Sequence, residues 1–187
     1  MEARIIYFDK PGKENTDAVM DIVKERAREL GIHTVVVASY RGYTAEKAVR
    51  ALHNMKIVVV AGFSTPTPES FEQTFAEGDE ELIKSRATIL NTTHLFAGIT
   101  RAMRKKYNSS SPGEIIAQAL KMISVGVKVG VEIAVMAADA GLVSIEEDII
   151  AIGGSAKGAD TAIVVRPVFS RDLFDIKVKE ILCKPRY

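Results

Sequence analysis

Two glycine-containing loops carry the residue types that could do chemistry. The first is Ser39-Tyr40-Arg41-Gly42-Tyr43-Thr44, set between a β-branched run and an amphipathic helical pattern. The first N–H groups of a helix have no intrahelical partner and sit at the positive end of the helix dipole. A phosphate placed there is stabilised by both effects. Gly42 would let the backbone turn sharply and approach an anion closely, while Ser39 and Thr44 add hydroxyls and Arg41 adds charge. The plainer reading of the same residues is a turn with Thr44 as the helix N-cap. The second loop is Gly153-Gly154-Ser155-Ala156-Lys157-Gly158-Ala159-Asp160-Thr161. Its glycines, serine, lysine and threonine suit a second anion nest, or a flexible hairpin connection. It has neither the Gly-Lys-Ser/Thr order of a P-loop nor the glycine spacing of a dinucleotide fingerprint.

Single side chains add less. Glu132 lies inside an apolar stretch, where a carboxylate is costly unless paired. It either faces a site or points to water. His94, in Asn91-Thr92-Thr93-His94, follows a strand and falls at the sheet edge where open α/β sheets bind ligands. No metal-ligand spacing is present, and Cys183 sits in a terminal strand with no evident partner.

The elements that must position these loops alternate between apolar runs and amphipathic helices, the pattern of a mostly parallel sheet with crossover helices. Strands are predicted at 4–8, 34–38, 56–61, 88–90, 149–152, 162–166 and 176–183. One helix opens near Asn15 or Thr16 and ends at Gly31, and a second follows the first loop. A third runs from Thr67-Pro68 through Phe71 and Phe75 towards Gly78. A fourth starts at Ser111-Pro112-Gly113-Glu114, read as a capping box, and buries Ile116, Ala119, Leu120 and Ile123. Residues 125–135 alternate like a strand, but Ala137-Ala138 and the stop at Gly141 favour a helix from Lys128 onward.

At 187 residues the chain suits one α/β domain, residues 1–187, able to bury a core without disulfides. The net charge is +1, with acids and bases mixed along the chain, which argues against a nucleic-acid partner. The short basic cluster Arg101 to Lys106 reads as a solvated helix face. The most apolar long stretch, 125–143, contains Lys128, Glu132 and Asp139 and does not read as a membrane span. One cysteine and no signal-like start fit a reducing, cytoplasmic compartment.

Thr16-Asp17-Ala18 at a helix start, the stretch Val35 to Ala45 with its Gly-x-Thr loop, the strand Ile57 to Val60 and the segment Gly153 to Val165 together resemble the C-terminal domain of pyruvate kinase. Over its whole length the chain is more similar to stand-alone, mainly archaeal proteins related to that domain. The shared signatures are Lys10-Pro11-Gly12 with Glu14-Asn15-Thr16, Glu132 with Met136 to Asp139, and Gly158 to Thr161. The resemblance implies a three-layer α/β sandwich with a mostly parallel sheet. It also implies phosphate binding at Ser39 to Thr44, since that loop binds an effector phosphate in pyruvate kinases. Some members of the stand-alone group are associated with flavin mononucleotide (FMN).

The candidate ligand-binding set is then Ser39 to Thr44, Asn15, Thr16, Gly62, Phe63, Glu132, Gly153 and Gly154. The expected ligand is a small phosphorylated molecule, FMN first among them, held at the carboxyl ends of the strands. The alternatives are a flavin-dependent oxidoreductase, a phosphate-handling enzyme, or a regulatory subunit of another enzyme. Pyruvate kinase activity is not expected, because that chemistry resides in a separate barrel of about 250 residues. Nucleic acid and membrane are not expected as partners, and self-association is left open.

Overall fold

The structure is a computed structural model that describes residues 3–62, 67–69 and 73–186. Seven strands, β1 (Ile6–Phe8), β2 (Thr34–Ala38), β3 (Lys56–Val60), β4 (Ala87–Leu90), β5 (Ile149–Gly153), β6 (Thr161–Arg166) and β7 (Lys177–Pro185), form one sheet. Their order is β1-β7-β6-β5-β2-β3-β4. Only β6 runs against the rest: it pairs antiparallel with β5 and β7, whereas β5, β2, β3 and β4 are parallel neighbours. The carboxyl ends of those four strands therefore open on one edge of the sheet.

Helices cover both faces. On one side lie α1 (Thr16–Leu30), α2 (Tyr43–Ala51) and α3 (Glu80–Arg86), whose Val19, Val23, Ala48, Val49 and Ile83 pack on Val35, Val37 and Ile150. On the other lies α6 (Val125–Asp139), with Val131, Ala134 and Ala138 packed on Val36, Val58 and Ala151. The successive valines of β2 thus point to opposite layers, which is why that strand is apolar throughout. Burying each contributes roughly 1.5–3 kcal/mol. The result is the expected three-layer sandwich.

Several boundaries differ from expectation. Helix α6 begins at Val125, not Lys128, because the Ser124 hydroxyl caps it by accepting from Val127 N–H at 2.9 Å. The alternating valines are helical because Gly126 and Gly130 let α6 lie directly on the sheet. A Cβ at Gly126 would come within 2.3 Å of Thr161 Cβ, and one at Gly130 within 2.9 Å of Ile163 Cδ1. The capping box at Ser111 is not formed. Ser111 Oγ donates to Thr100 Oγ1 at 2.9 Å, and Glu114 pairs with Arg104, so both side chains tie α5 (Pro112–Lys121) to α4 (Gly98–Tyr107) instead. None of the four apolar residues expected to be buried there is: Ile116 and Leu120 are half-buried, Ala119 and Ile123 are exposed, and Ala117 is the residue that α5 buries.

Helices α3 and α4 were not anticipated as elements, although the basic cluster does lie on α4, which buries none of its residues. The helix expected through Phe71 falls partly outside the described residues, and Phe75 ends a short 3-10 turn. Strand β1 starts at Ile6, two residues later than expected. Among the described residues no helix is long and apolar enough to cross a membrane.

Candidate functional site

A cavity of about 340 Å³ opens at the carboxyl edge of β2, β3, β4 and β5. Ala38, Val60, Val129, Ile133 and Met136 give it an apolar wall. Its polar groups gather at two ends.

The loop after β2 forms one end. Gly42 is the N-cap of α2, with φ 94° in the left-handed region that favours glycine. Thr44 is therefore the second helical residue and not the cap. The capping hydroxyl belongs to Ser39, whose Oγ accepts from Ala45 N–H at 3.2 Å. The first α-type bond runs from Glu46 N–H to Gly42 O, which leaves the N–H groups of Tyr43 and Thr44 without a backbone or side-chain acceptor among the described residues. Ser39, Tyr40, Arg41, Tyr43 and Thr44 all line the cavity, and Lys13 Nζ sits 4.0 Å from the centre of the Tyr43 ring.

The glycine-rich loop after β5 faces this end, contributing Gly154, Ala156, Lys157 and Gly158. A fully buried carboxylate shapes it. Asp160 Oδ2 accepts from Ser155 N–H at 3.0 Å and Gly12 N–H at 3.2 Å, and Oδ1 accepts from the Thr161 hydroxyl at 2.8 Å. Thr16 Oγ1 completes the knot: it accepts from Ala159 N–H at 3.0 Å and donates to Lys13 O at 2.7 Å. The Gly-Ala-Asp-Thr and Lys-Pro-Gly signatures thus fasten two loops together, burying polar groups that are all paired.

His94 and Glu132 form the inner end. Glu132 is 2 % exposed, so the alternative that it points to water is excluded. Its Oε1 accepts from Phe96 N–H at 3.1 Å, and Lys128 Nζ donates to Oε2 at 2.5 Å. His94 Nε2 hydrogen-bonds the Gly62 carbonyl. A carbonyl only accepts, so Nε2 carries the proton. Nδ1 then stands 3.7 Å from Glu132 Oε2.

The fold therefore brings together eight of the expected residues: Ser39, Tyr40, Arg41, Tyr43, Thr44, Gly62, Glu132 and Gly154. Gly42 shapes the loop without lining the cavity. Asn15 and Thr16 stand outside the cavity wall. Asn15 Nδ2 donates to Lys10 O at 2.8 Å, holding its own turn. Gly153 packs against α6, where a Cβ would come within 2.6 Å of Gly126 O. Phe63 lies outside the described residues. Sequence reasoning had not assigned Glu77, Val129, Ile133 or Met136 to the site. Val129 and Met136 were readable as the helix positions one turn either side of Glu132, and Ile133 as the residue beside it; Glu77 carried no signal.

Other chemistry finds little support. Cys183 is buried, and desolvation pushes its thiol up to about 12, far from a thiolate at neutral pH. Among the described residues no three His, Cys, Asp or Glu side chains gather to hold a metal ion. The family model described as the pyruvate kinase alpha/beta domain matches residues 17–165, a span that runs from the start of α1 to β6 and contains both loops of the cavity, and the chain belongs to that family.

Proposed function

We propose that this chain binds a small phosphorylated ligand, FMN being the best candidate, with its phosphate on the loop after β2. The observation that carries this reading is the pair of N–H groups, Tyr43 and Thr44, that have no acceptor among the described residues, at the start of α2 beside Arg41 in a cavity wall. The cavity volume lies in the range of small-molecule sites, and its Val60, Val129, Ile133 and Met136 wall suits a flat apolar ring. The residues present therefore fit the group: loop 39–44 would hold the phosphate, and the apolar wall the ring system. A bound flavin supplies redox chemistry; the chain's own part is to position it and exclude water. The test is mass spectrometry of small molecules released from protein purified from cells. FMN is the expected species, with a yellow preparation. A different phosphorylated molecule would keep the anchor and replace the ligand, and an unphosphorylated one would sink both.

One observation favours a second reading, an enzyme acting on the bound molecule. His94 and Glu132 stand together at the inner end, in the arrangement of an acid–base pair. Substrate-dependent bleaching of bound flavin, lost in His94→Ala, separates an enzyme from a carrier.

The 187-residue chain is also expected to transfer no phosphoryl group between phosphoenolpyruvate and ADP. Its described residues form one open sheet, not the closed barrel that hosts that chemistry in pyruvate kinase. Turnover by clean protein in a coupled assay would end this claim.

A further inference from the structure

The inner end of the cavity presents two acceptors to whatever fills it. His94 Nε2 donates to the Gly62 carbonyl, so a neutral ring has only a lone pair at Nδ1. Glu132 Oε2 stands 3.7 Å from that nitrogen. The buried carboxylate is held from behind, by Lys128 Nζ on Oε2 and by Phe96 N–H on Oε1. A carboxylate has about four lone-pair sites, so these two bonds leave it able to accept more. Lys128 lines a separate cleft between α4, α5 and α6, and not the ligand cavity. The cations that do line the cavity, Arg41 and Lys157, belong to the loops at the opposite end. The cavity is therefore polarised along its length, with cations and the Tyr43 and Thr44 N–H groups at the α2 end and acceptors at the inner end.

Two acceptors that face one another across 3.7 Å need hydrogens between them. An amino group supplies two. Placed about 2.9 Å from each acceptor, it makes both bonds with N–H···acceptor angles of about 150°, at the edge of the favoured range. We infer that the inner end binds an amino group on the ligand's ring, so that the site takes aminated heterocycles joined to a phosphate, a class beyond flavins; the inference rests on the phosphate reading above. Oxidised FMN has a single ring N–H, which satisfies one acceptor. A ring carbonyl in the same place would be repelled by both, and a C–H would leave both unpaired. A site built to hydrogen-bond a donor rejects the analogue that lacks it, because its buried acceptors are then left without partners. A purine nucleoside monophosphate with an amino group matches all three parts of the cavity: the α2 end takes the phosphate, the apolar wall the ring, and His94 with Glu132 the amine.

Inosine, guanosine and adenosine 5′-monophosphates are the probes. They share one sugar phosphate. The guanine ring adds an amino group to that of inosine, and the adenine ring has one in place of the carbonyl. Each is titrated calorimetrically into the ligand-stripped full chain, with FMN as control, in the unmodified protein, His94→Ala and His94→Phe. The His94 side chain is 35 % exposed, so its replacement leaves the core packed. At least one of the two aminated nucleotides is expected to bind at least about tenfold more tightly than inosine monophosphate, the worth of one hydrogen bond to a charged group. That advantage should vanish in both variants. Equal binding of all three, or tightest binding of inosine monophosphate, overturns the inference and leaves the phosphate site standing. An advantage that survives in either variant places the amine elsewhere and overturns it too. Binding of FMN but of none of the purine nucleotides sinks the inference alone, whereas no binding of any of the four removes the phosphate reading with it.

Discussion

Riboflavin is expected to bind ligand-stripped protein at least about a hundredfold more weakly than FMN. The two molecules differ only in the phosphate, so the comparison isolates the loop after β2. Tyr43 and Thr44 N–H have no other acceptor among the described residues, and Arg41 and Lys157 stand beside them. Losing two charge-assisted hydrogen bonds, at about 1.5–3 kcal/mol each, removes at least ~3 kcal/mol. The phosphate alone cannot hold the ligand. Three or four such bonds give roughly 5–10 kcal/mol gross, association costs at least ~4 kcal/mol, and micromolar affinity needs about 8 kcal/mol net. Burying ~200 Å² of ring against Val60, Val129, Ile133 and Met136 would add on the order of 5 kcal/mol. The measurement is quenching of flavin fluorescence. Equal affinities would sink the phosphate anchor; no binding of either flavin would keep the anchor and discard the flavin.

Much of this geometry was legible because it depends on local rules. Strand β2 falls on the predicted residues 34–38, since five β-branched or small apolar residues between a glycine stop and a polar loop admit little else. The loop after it was readable for the same reason: a glycine between a buried strand and an amphipathic helix has few conformations open to it. What was not legible depends on contacts between distant segments. Nothing near Glu77 announces that its carboxylate will span Arg41 and Lys157, because the approach of Gly78 to Gly42 decides it. The valine alternation at the start of α6 moved its expected first residue from Val125 to Lys128 for a related reason. Period two is the local signal, but Gly126, Gly130 and Ala134 mark a small-residue face every four residues, and close packing on β5 and β6 selects the helix. Asn15 and Thr16 were assigned to ligand from a resemblance, whereas their hydrogen bonds hold turns and loops. The polar residues of a motif can serve the scaffold of a site as well as its ligand.

Gly42→Val should abolish FMN binding, lowering affinity by more than about a hundredfold, in a protein that keeps its sheet. The residue has φ 94°, a conformation that costs a side chain about 1–3 kcal/mol. The new Cβ would also lie 3.1–3.2 Å from the backbone of Gly78 and Phe75, so the turn and the segment above it cannot both stay in place. The expected route to lost binding is therefore displacement, not obstruction: the Cβ points at Gly78 rather than into the cavity. Rotating the turn swings the Tyr43 and Thr44 N–H groups off the phosphate, and hydrogen bonds weaken steeply as their angle closes. It also withdraws Glu77 from Arg41. The strain is local to one edge, and the buried valines of β2 on either layer are untouched, so circular dichroism should report native secondary structure at a reduced melting temperature. Gly42→Ala, with the same φ strain but no branches, should fall between the two proteins in both affinity and stability. Unchanged FMN affinity in folded Gly42→Val would place the phosphate somewhere other than the start of α2.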